Sequence, residues 1–386
     1  MRPIFVTLLA LCIAAVVGIG ATWMTTTRGT EVGSLTIGAW TARPRTGTVD
    51  VDPYSRATIT SNGELPIGTG DGVALTATRD GRNKPLDGRC DVVVSGVTPA
   101  ARFWTLTLYD TKGHLVANSL QRYGFTSQEI VRSADGSFEI RIASRSRAGN
   151  WLPTGGIERY RLMLRLYDTP VGVATRTQRR SDARDCHRGV PVIRLVFTIL
   201  AGVLLGGIVH LVSVLALPKI ASQDAYSRLA PLTKLNAVTQ LPPADPGNTL
   251  MPYMDPAFAV AICRYDLSGG PIKLKVPVSQ AYTSVSFYTR SDLAYYAIND
   301  RSAGKKVIEL DLMTEDQHSD LPEDEDVTAA DRLIIDSPSA TGLIVMKALA
   351  PEPGLMPQAK ASLAASSCSV QTDLPAKQAA VPQARR

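Results

Sequence analysis

Any chemistry in this chain has to start from four histidines, five cysteines and one run of clustered carboxylates. His114 falls in a turn-like run (TKGHLV) and His318 in an acidic one (TEDQHSD), and neither neighbours a Ser or Cys motif. Nucleophilic catalysis needs a nucleophile, a base and a group that orients the base. No such set is visible, and the G-x-S-x-G elbow is absent. Glu315, Asp316, Asp320, Glu323, Asp324, Glu325 and Asp326 make an acidic loop whose oxygens could hold a divalent cation. The ordered D-x-D-x-D-G spacing is missing, so a solvated loop is the expectation. With no C-x-x-C and scattered histidines, neither a metal site nor a cofactor is expected.

The remaining candidates for ligand binding are Asn118, Arg122, Tyr123, Asn150 and Trp151, loop residues able to hold a sugar or carboxylate by hydrogen bonding and stacking. Their alternative role is structural, with Asn150-Trp151-Leu152-Pro153 as a turn that plugs the end of a sandwich. A deep pocket gathering Arg122, Tyr123 and Asn150 would favour an enzyme, and a flat surface with these residues buried would favour a binding module.

The elements that must position these loops are strands. Asp91 to Ser95 (DVVVS), Phe103 to Tyr109 (FWTLTLY), Ser137 to Ile142 (SFEIRI) and Tyr160 to Tyr167 (YRLMLRLY) alternate or are β-rich. Turn signals at 110–113, 135–136 and 149–156 separate them. The Gly-, Pro- and Thr-rich segment Val32 to Asp87 reads as an irregular approach to the sheet. The plan recurs in Ala259 to Asp266, Pro271 to Val276, Tyr282 to Tyr288, Lys306 to Leu312, Arg332 to Asp336 and Gly342 to Ala348. Short strands at regular spacing predict a mainly β protein of two β-sandwich, jelly-roll-like domains related by a distant internal duplication.

Each β domain is preceded by one hydrophobic segment. Pro3 to Met24 carries no charge, and as a helix of roughly 33 Å it is long enough to cross a hydrocarbon core. A cleavable signal peptide is the alternative, but the run is long and no clear A-x-A site follows, so an uncleaved anchor is expected. Leu195 to Leu217 is likewise uncharged and demands a helix in lipid. Gly202 and Gly206 form a G-x-x-x-G pair, matched by Ala10, Ala14 and Gly18 on the first segment, so the two spans could pair. His210, inside the second span, is expected to hydrogen-bond a neighbour rather than relay protons. Uncharged spans also argue against transport. The expected organisation is therefore an anchor over 1–28, a β domain over 29–174, a basic junction over 175–194, a span over 195–217, a second β domain over 218–370 and a disordered tail over 371–386.

The 386 residues, 45% hydrophobic and 20% charged, fit two globular domains. The net charge of +6 does not indicate nucleic acid, because Arg176, Arg179, Arg180, Arg184, Arg188 and Arg194 cluster before the second span without interleaved aromatics. The expected partners are the lipid bilayer and the two halves or spans themselves, with no nucleic acid. Four cysteines lie outside the first span, one near the opening and one near the far end of each half. Their placement predicts disulfides Cys90–Cys186 and Cys263–Cys368 in an oxidising compartment. Here the inferences collide. Two spans in series place the halves on opposite sides of a membrane, whereas the cysteines want both outside and the arginines want the second span to begin inside. A chain that joins two single-pass proteins resolves the conflict; a true two-span chain leaves the second half in the cytoplasm.

The first half resembles the bacterial family of domain of unknown function 1214, through DPYSRA (52–57), FWTLTLYDTKGHLVAN (103–118), RYGFTS (122–127), ADGSFEI (134–140), NWLPTG (150–155) and RLYDTP (165–170). The second resembles a short form of domain of unknown function 1254, through DPAFAVAICRYDLSGGPIKLKVP (255–277), YTSVSFYT (282–289) and DRLIIDSPSATGLIVMKAL (331–349). The resemblance implies β-rich, often envelope-associated modules that occur together in one chain or in neighbouring genes. It implies no activity. The expected function is a non-enzymatic envelope protein at the bacterial inner membrane whose periplasmic β domains bind or organise an envelope component. The alternative is a periplasmic enzyme acting on a glycan or lipid-linked substrate.

Overall fold

The computed structural model describes residues 2–28, 33–97, 99–170, 193–248, 250–304, 306–320 and 333–371. The first half contains α1 (Arg2–Arg28), β1 (Leu35–Ile37), β2 (Trp40–Ala42), α2 (Pro53–Asn62), β3 (Gly72–Ala77), β4 (Val92–Gly96), β5 (Phe103–Tyr109), β6 (Gly124–Thr126), β7 (Phe138–Ala143), β8 (Asn150–Pro153) and β9 (Arg161–Tyr167). The second contains α3 (Ile193–Ile220), α4 (Ala225–Leu229), β10 (Val238–Gln240), β11 (Phe258–Asp266), β12 (Ile272–Pro277), β13 (Thr283–Thr289), β14 (Ala294–Asn299), α5 (Asp300–Ala303), β15 (Val307–Thr314), α6 (Glu315–Ser319), β16 (Leu333–Ser337), β17 (Thr341–Leu349), α7 (Met356–Ala364) and β18 (Ser367–Val370).

The repeat expected from the strand pattern is visible in the pairing. The first half orders its sheets β1-β2-β3-β9-β5-β6 and β4-β7-β8, and the second orders them β10-β11-β17-β13-β14 and β16-β15-β12-β18. Strands β3 to β9 therefore occupy the same places as β11 to β17, down to a parallel pair in each half, β7 with β8 and β15 with β16. One core joins the two sheets of each half. In the first, Trp104, Leu106 and Leu108 of β5 pack with Ile140 and Ile142 of β7. In the second, Val285 and Phe287 of β13 pack with Leu274 of β12 and Leu310 of β15.

All seven residues of β5 and all seven of β13 are buried, because each strand is covered on both faces. On β5 the even positions point into their own core, while Phe103, Thr105 and Tyr109 face the second half. That is why FWTLTLY is continuously apolar or hydroxylated instead of alternating in polarity.

The segment 32–87 departs from the irregular approach expected of it. It supplies β3, paired along its length with β9 from Gly72↔Tyr167 to Ala77↔Leu162. It also supplies α2, which starts at a capping Asp52 followed by Pro53 and stops at Gly63, whose φ is 67°. Pro at the first helical position and Gly after the last are sequence signals that outweigh the segment's turn-rich composition.

α1 and α3 are long and apolar enough to cross a membrane, and Phe5, Val16 and Ile19 of one and Leu204, Ile208 and Leu215 of the other are well exposed. They pack side by side and parallel. A Cβ on Gly202 would meet Ile13 Cγ2 at 2.9 Å and Ala10 O at 3.2 Å, one on Gly206 would meet Val17 Cβ at 3.1 Å and Ala14 O at 3.3 Å, and one on Gly18 would meet Val209 Cβ at 2.7 Å. The small-residue faces thus form the seam, allowing backbones to approach closely. His210 hydrogen-bonds within the bundle, Nδ1 with Thr22 Oγ1 at 2.9 Å and Nε2 with Tyr54 OH at 3.2 Å.

Cys263 and Cys368 are bridged, with Cα atoms 6.5 Å apart, tying β11 in one sheet to β18 in the other. Cys90 is a free, exposed thiol, and Cys186 lies outside the described residues. The symmetry assumed for the two pairs does not hold topologically, because Cys90 sits in the loop before β4 whereas Cys263 sits inside β11. The basic junction up to 192, Glu323 to Asp326 of the acidic loop and the tail from 372 also lie outside the described residues.

Candidate functional site

Where α3 runs into the β body, its last turn meets α2 and two turns of the second half around a cavity of about 550 Å³. Its walls include Val49, Pro218, Leu293 and Pro338, and its charged groups are Arg56, Lys219, Asp224 and Arg290. Local structure fixes each of them. Asp52 Oδ1 accepts from Tyr54 N and Ser55 N at 3.1 and 3.0 Å, starting the helix that carries Arg56. Arg56 donates from Nη2 to Ser291 Oγ at 3.0 Å, while its buried Nε has no partner among the described residues. Asp224 caps α4 by accepting from Ser227 N at 2.6 Å and takes a second hydrogen bond from Arg290 Nη1 at 2.5 Å. Arg290 also lies 4.2 Å over the Tyr226 ring. Lys219 is exposed and makes no ion pair among the described residues.

Beside this cavity, Asp292 is 1% exposed in the turn between β13 and β14, with φ at 59°. Its Oδ2 accepts from Ala225 N at 2.9 Å, and its Oδ1 has no partner among the described residues. Burial, with Asp224 nearby, pushes its carboxyl up to about 7.

A second polar cluster welds the halves together. Asp255 Oδ2 accepts from Thr105 Oγ1 at 2.6 Å and Tyr167 OH at 3.1 Å, and lies 3.4 Å from Arg165 Nη1. Arg165, 4% exposed, also donates to Tyr109 OH at 3.0 Å and Tyr253 O at 2.5 Å. Nearby, the fully buried Asp71 accepts from Tyr282 OH and sits 3.4 Å from Lys347 Nζ. Burial, reinforced by Asp71, holds the Tyr282 phenol protonated well above its usual range. Phe103, Tyr167, Phe258, Tyr282 and Leu349 form the apolar part of this contact. These groups satisfy one another, which is the behaviour of an internal interface.

The residues singled out for ligand binding belong to the first half, and the polar atoms of Asn118, Arg122, Asn150 and Trp151 serve backbone groups of that half. Asn118 Oδ1 accepts from Leu120 N and Arg122 N, and its Nδ2 donates to Val116 O and Arg122 O. Arg122 donates to Trp151 O at 3.0 Å and lies over the Phe125 ring. Asn150, 7% exposed, exchanges hydrogen bonds with Val131 and donates to Glu139 O. Trp151 Nε1 donates to Ala143 O. Tyr123 is half-buried, and burial with Asp245 raises its phenol. Arg122 thus links the Asn118 turn to Trp151, which lies with Asn150 in strand β8 and not in the turn expected there, while Asn150 turns inward.

Sequence reading missed Arg56, Lys219, Asp224, Arg290 and Asp292. One signal was available, since Lys219 is the first charge after the second apolar segment. The others come from distant points in the chain and meet only through the packing of α2 against the second half.

No curated protein matches this chain. Among solved structures, an uncharacterised protein from Burkholderia cenocepacia is 17% identical, covering 93% of this chain and 98% of its own, with a TM-score of 0.45. A protein from Vibrio parahaemolyticus is 12% identical over 94% of this chain and 99% of its own, with a TM-score of 0.40. Family models match in both halves, so residues 71–171 belong to the protein family of unknown function DUF1214 and residues 235–368 to that of DUF1254.

Proposed function

We propose that the chain is a bacterial envelope protein anchored in the inner membrane, whose β-sandwich halves form one body on the periplasmic face and bind or organise an envelope component. The observation that carries this reading is the parallel pairing of α1 and α3 through Gly18, Gly202 and Gly206. Parallel spans deliver the β domains attached to their C-terminal ends to the same side of a bilayer. The Thr105, Tyr167 and Arg165 contacts to Asp255 are available only to halves that share that side. The Cys263–Cys368 bridge fits an oxidising compartment, and the arginines preceding α3 fit a cytoplasmic start for that span.

The test is labelling of intact spheroplasts with a membrane-impermeant maleimide, followed by peptide mass spectrometry. Cys90 and a Glu352→Cys thiol, both at exposed positions, should be labelled without lysis. Labelling of Cys90 alone would place the halves on opposite sides and sink the proposal.

A further inference from the structure

We infer that the cavity between α2, α3 and the β13–β14 turn binds the phosphate of an anionic amphiphile drawn from the surrounding bilayer. This deepens the membrane-anchored reading above and rests on it.

The cavity's position comes first. Pro218 and Lys219 line it, directly after the uncharged run that ends at Leu217, so its mouth lies where a spanning α3 would leave hydrocarbon for the headgroup layer. Its charge comes second. Arg290 is engaged by Asp224, which leaves Arg56 and Lys219 as cations with no carboxylate partner among the described residues. The buried Nε of Arg56 has no partner among the described residues, and a guanidinium with spare donors suits a phosphate oxygen. Shape comes third. A volume of about 550 Å³ far exceeds what a phosphate alone needs, and Val49, Pro218, Leu293 and Pro338 give it an apolar wall. A glycerol backbone and the first acyl carbons can lie against that wall while the phosphate sits between Arg56 and Lys219. No bond is made or broken in this step.

The experiment uses the full chain in neutral detergent micelles, titrated with short-chain phosphatidylglycerol, short-chain phosphatidylcholine and inorganic phosphate. Phosphatidylglycerol should bind at least about tenfold more tightly than phosphatidylcholine. Arg56→Gln and Lys219→Gln should each weaken it by roughly tenfold, the loss of one charge-assisted contact. Lys219 is exposed, so Lys219→Gln leaves the fold intact and keeps the test meaningful should Arg56→Gln disturb α2. Equal binding of the two lipids, or affinity unchanged in both variants, would overturn the site. Inorganic phosphate binding as tightly as phosphatidylglycerol would overturn the amphiphile in favour of a free anion. Carbonate extraction of native membranes is run in parallel. Release of the chain there would refute the anchored reading without touching the micelle result.

Discussion

Strand β12 in the second half is hydrogen-bonded to β15 on one side and β18 on the other, while its counterpart β4 in the first half borders only β7 among the described residues. The same seven-strand plan is therefore closed differently at one edge. In the second half, β18 pairs with β12 from Ser367 to Val370, and the bridge to Cys263 clamps it across to the other sheet. α7 lays Ala359 and Leu363 into the same core. In the first half Val93 is 52% exposed on an edge strand and Cys90 remains a thiol. The duplicated element is thus the strand order, and among the described residues the clamp is found in the second copy.

The largest expected effect tests that clamp. Reducing the bridge, or replacing Cys368 by Ser, reopens a loop of 105 residues and should destabilise the second half by about 4–5 kcal/mol in the chain-entropy picture. Calorimetry with and without reductant should move the second half's transition and leave a separate first-half transition in place. A single shared shift would show that the halves unfold as one unit. Asp255→Ala addresses that coupling directly. It strands the buried Arg165 and should cost about 3–5 kcal/mol, lowering the melting of both halves together.

A smaller effect comes from Asp292, which belongs to the second half only. Its carboxyl titrates near 3.8 when unfolded and near about 7 when folded. Between those values the unfolded chain gives up its proton first, so stability falls as pH rises from about 4 to 7 and is level above that. Asp292→Asn keeps an acceptor for Ala225 N and tolerates the positive φ. It should raise neutral-pH stability by about 2 kcal/mol and flatten the dependence, as read by chemical denaturation at pH 5 and 8. The smallest effect on the β body is expected from Gly202→Val. It should abolish cross-linking between cysteines placed at positions 22 and 210, which touch across the helix seam, while the melting of the β halves moves by less than about 1 kcal/mol.

The strands were legible because period-two patterning is a local property. FWTLTLY became β5 and YTSVSFY differs from β13 by a single position at each end. β6, β8 and β14 escaped notice because three to six residues with Gly, Pro or Asn carry little periodicity. The seam of Gly202, Gly206, Ala10, Ala14 and Gly18 was legible because helical spacing alone puts small residues on one face. The cation-lined cavity was not. Arg56 and Ser291 are 235 residues apart, and nothing in the spacing of either half announces that α2 will lie against the β13–β14 turn. Asn150 and Trp151 show the reverse case, since residues read as a ligand-binding turn form strand β8 beside β7, and their donors are spent on Val131, Glu139 and Ala143.

The parallel seam has an energetic consequence for the connection between the halves. β9 ends at the β body, while α3 begins some 28 residues of helix away, roughly 42 Å along its axis. With both helices embedded as proposed, the stretch that joins those two points has its ends on opposite faces of the bilayer, and its sequence carries Arg176, Arg179, Arg180, Arg184 and Arg188. At about 3 kcal/mol for each guanidinium in hydrocarbon, passing all five through would cost about 15 kcal/mol, as much as the folding free energy of a stable domain. Cohesion of the halves therefore falls to the helix seam and the Asp255 cluster, and the bilayer itself opposes the covalent path between them.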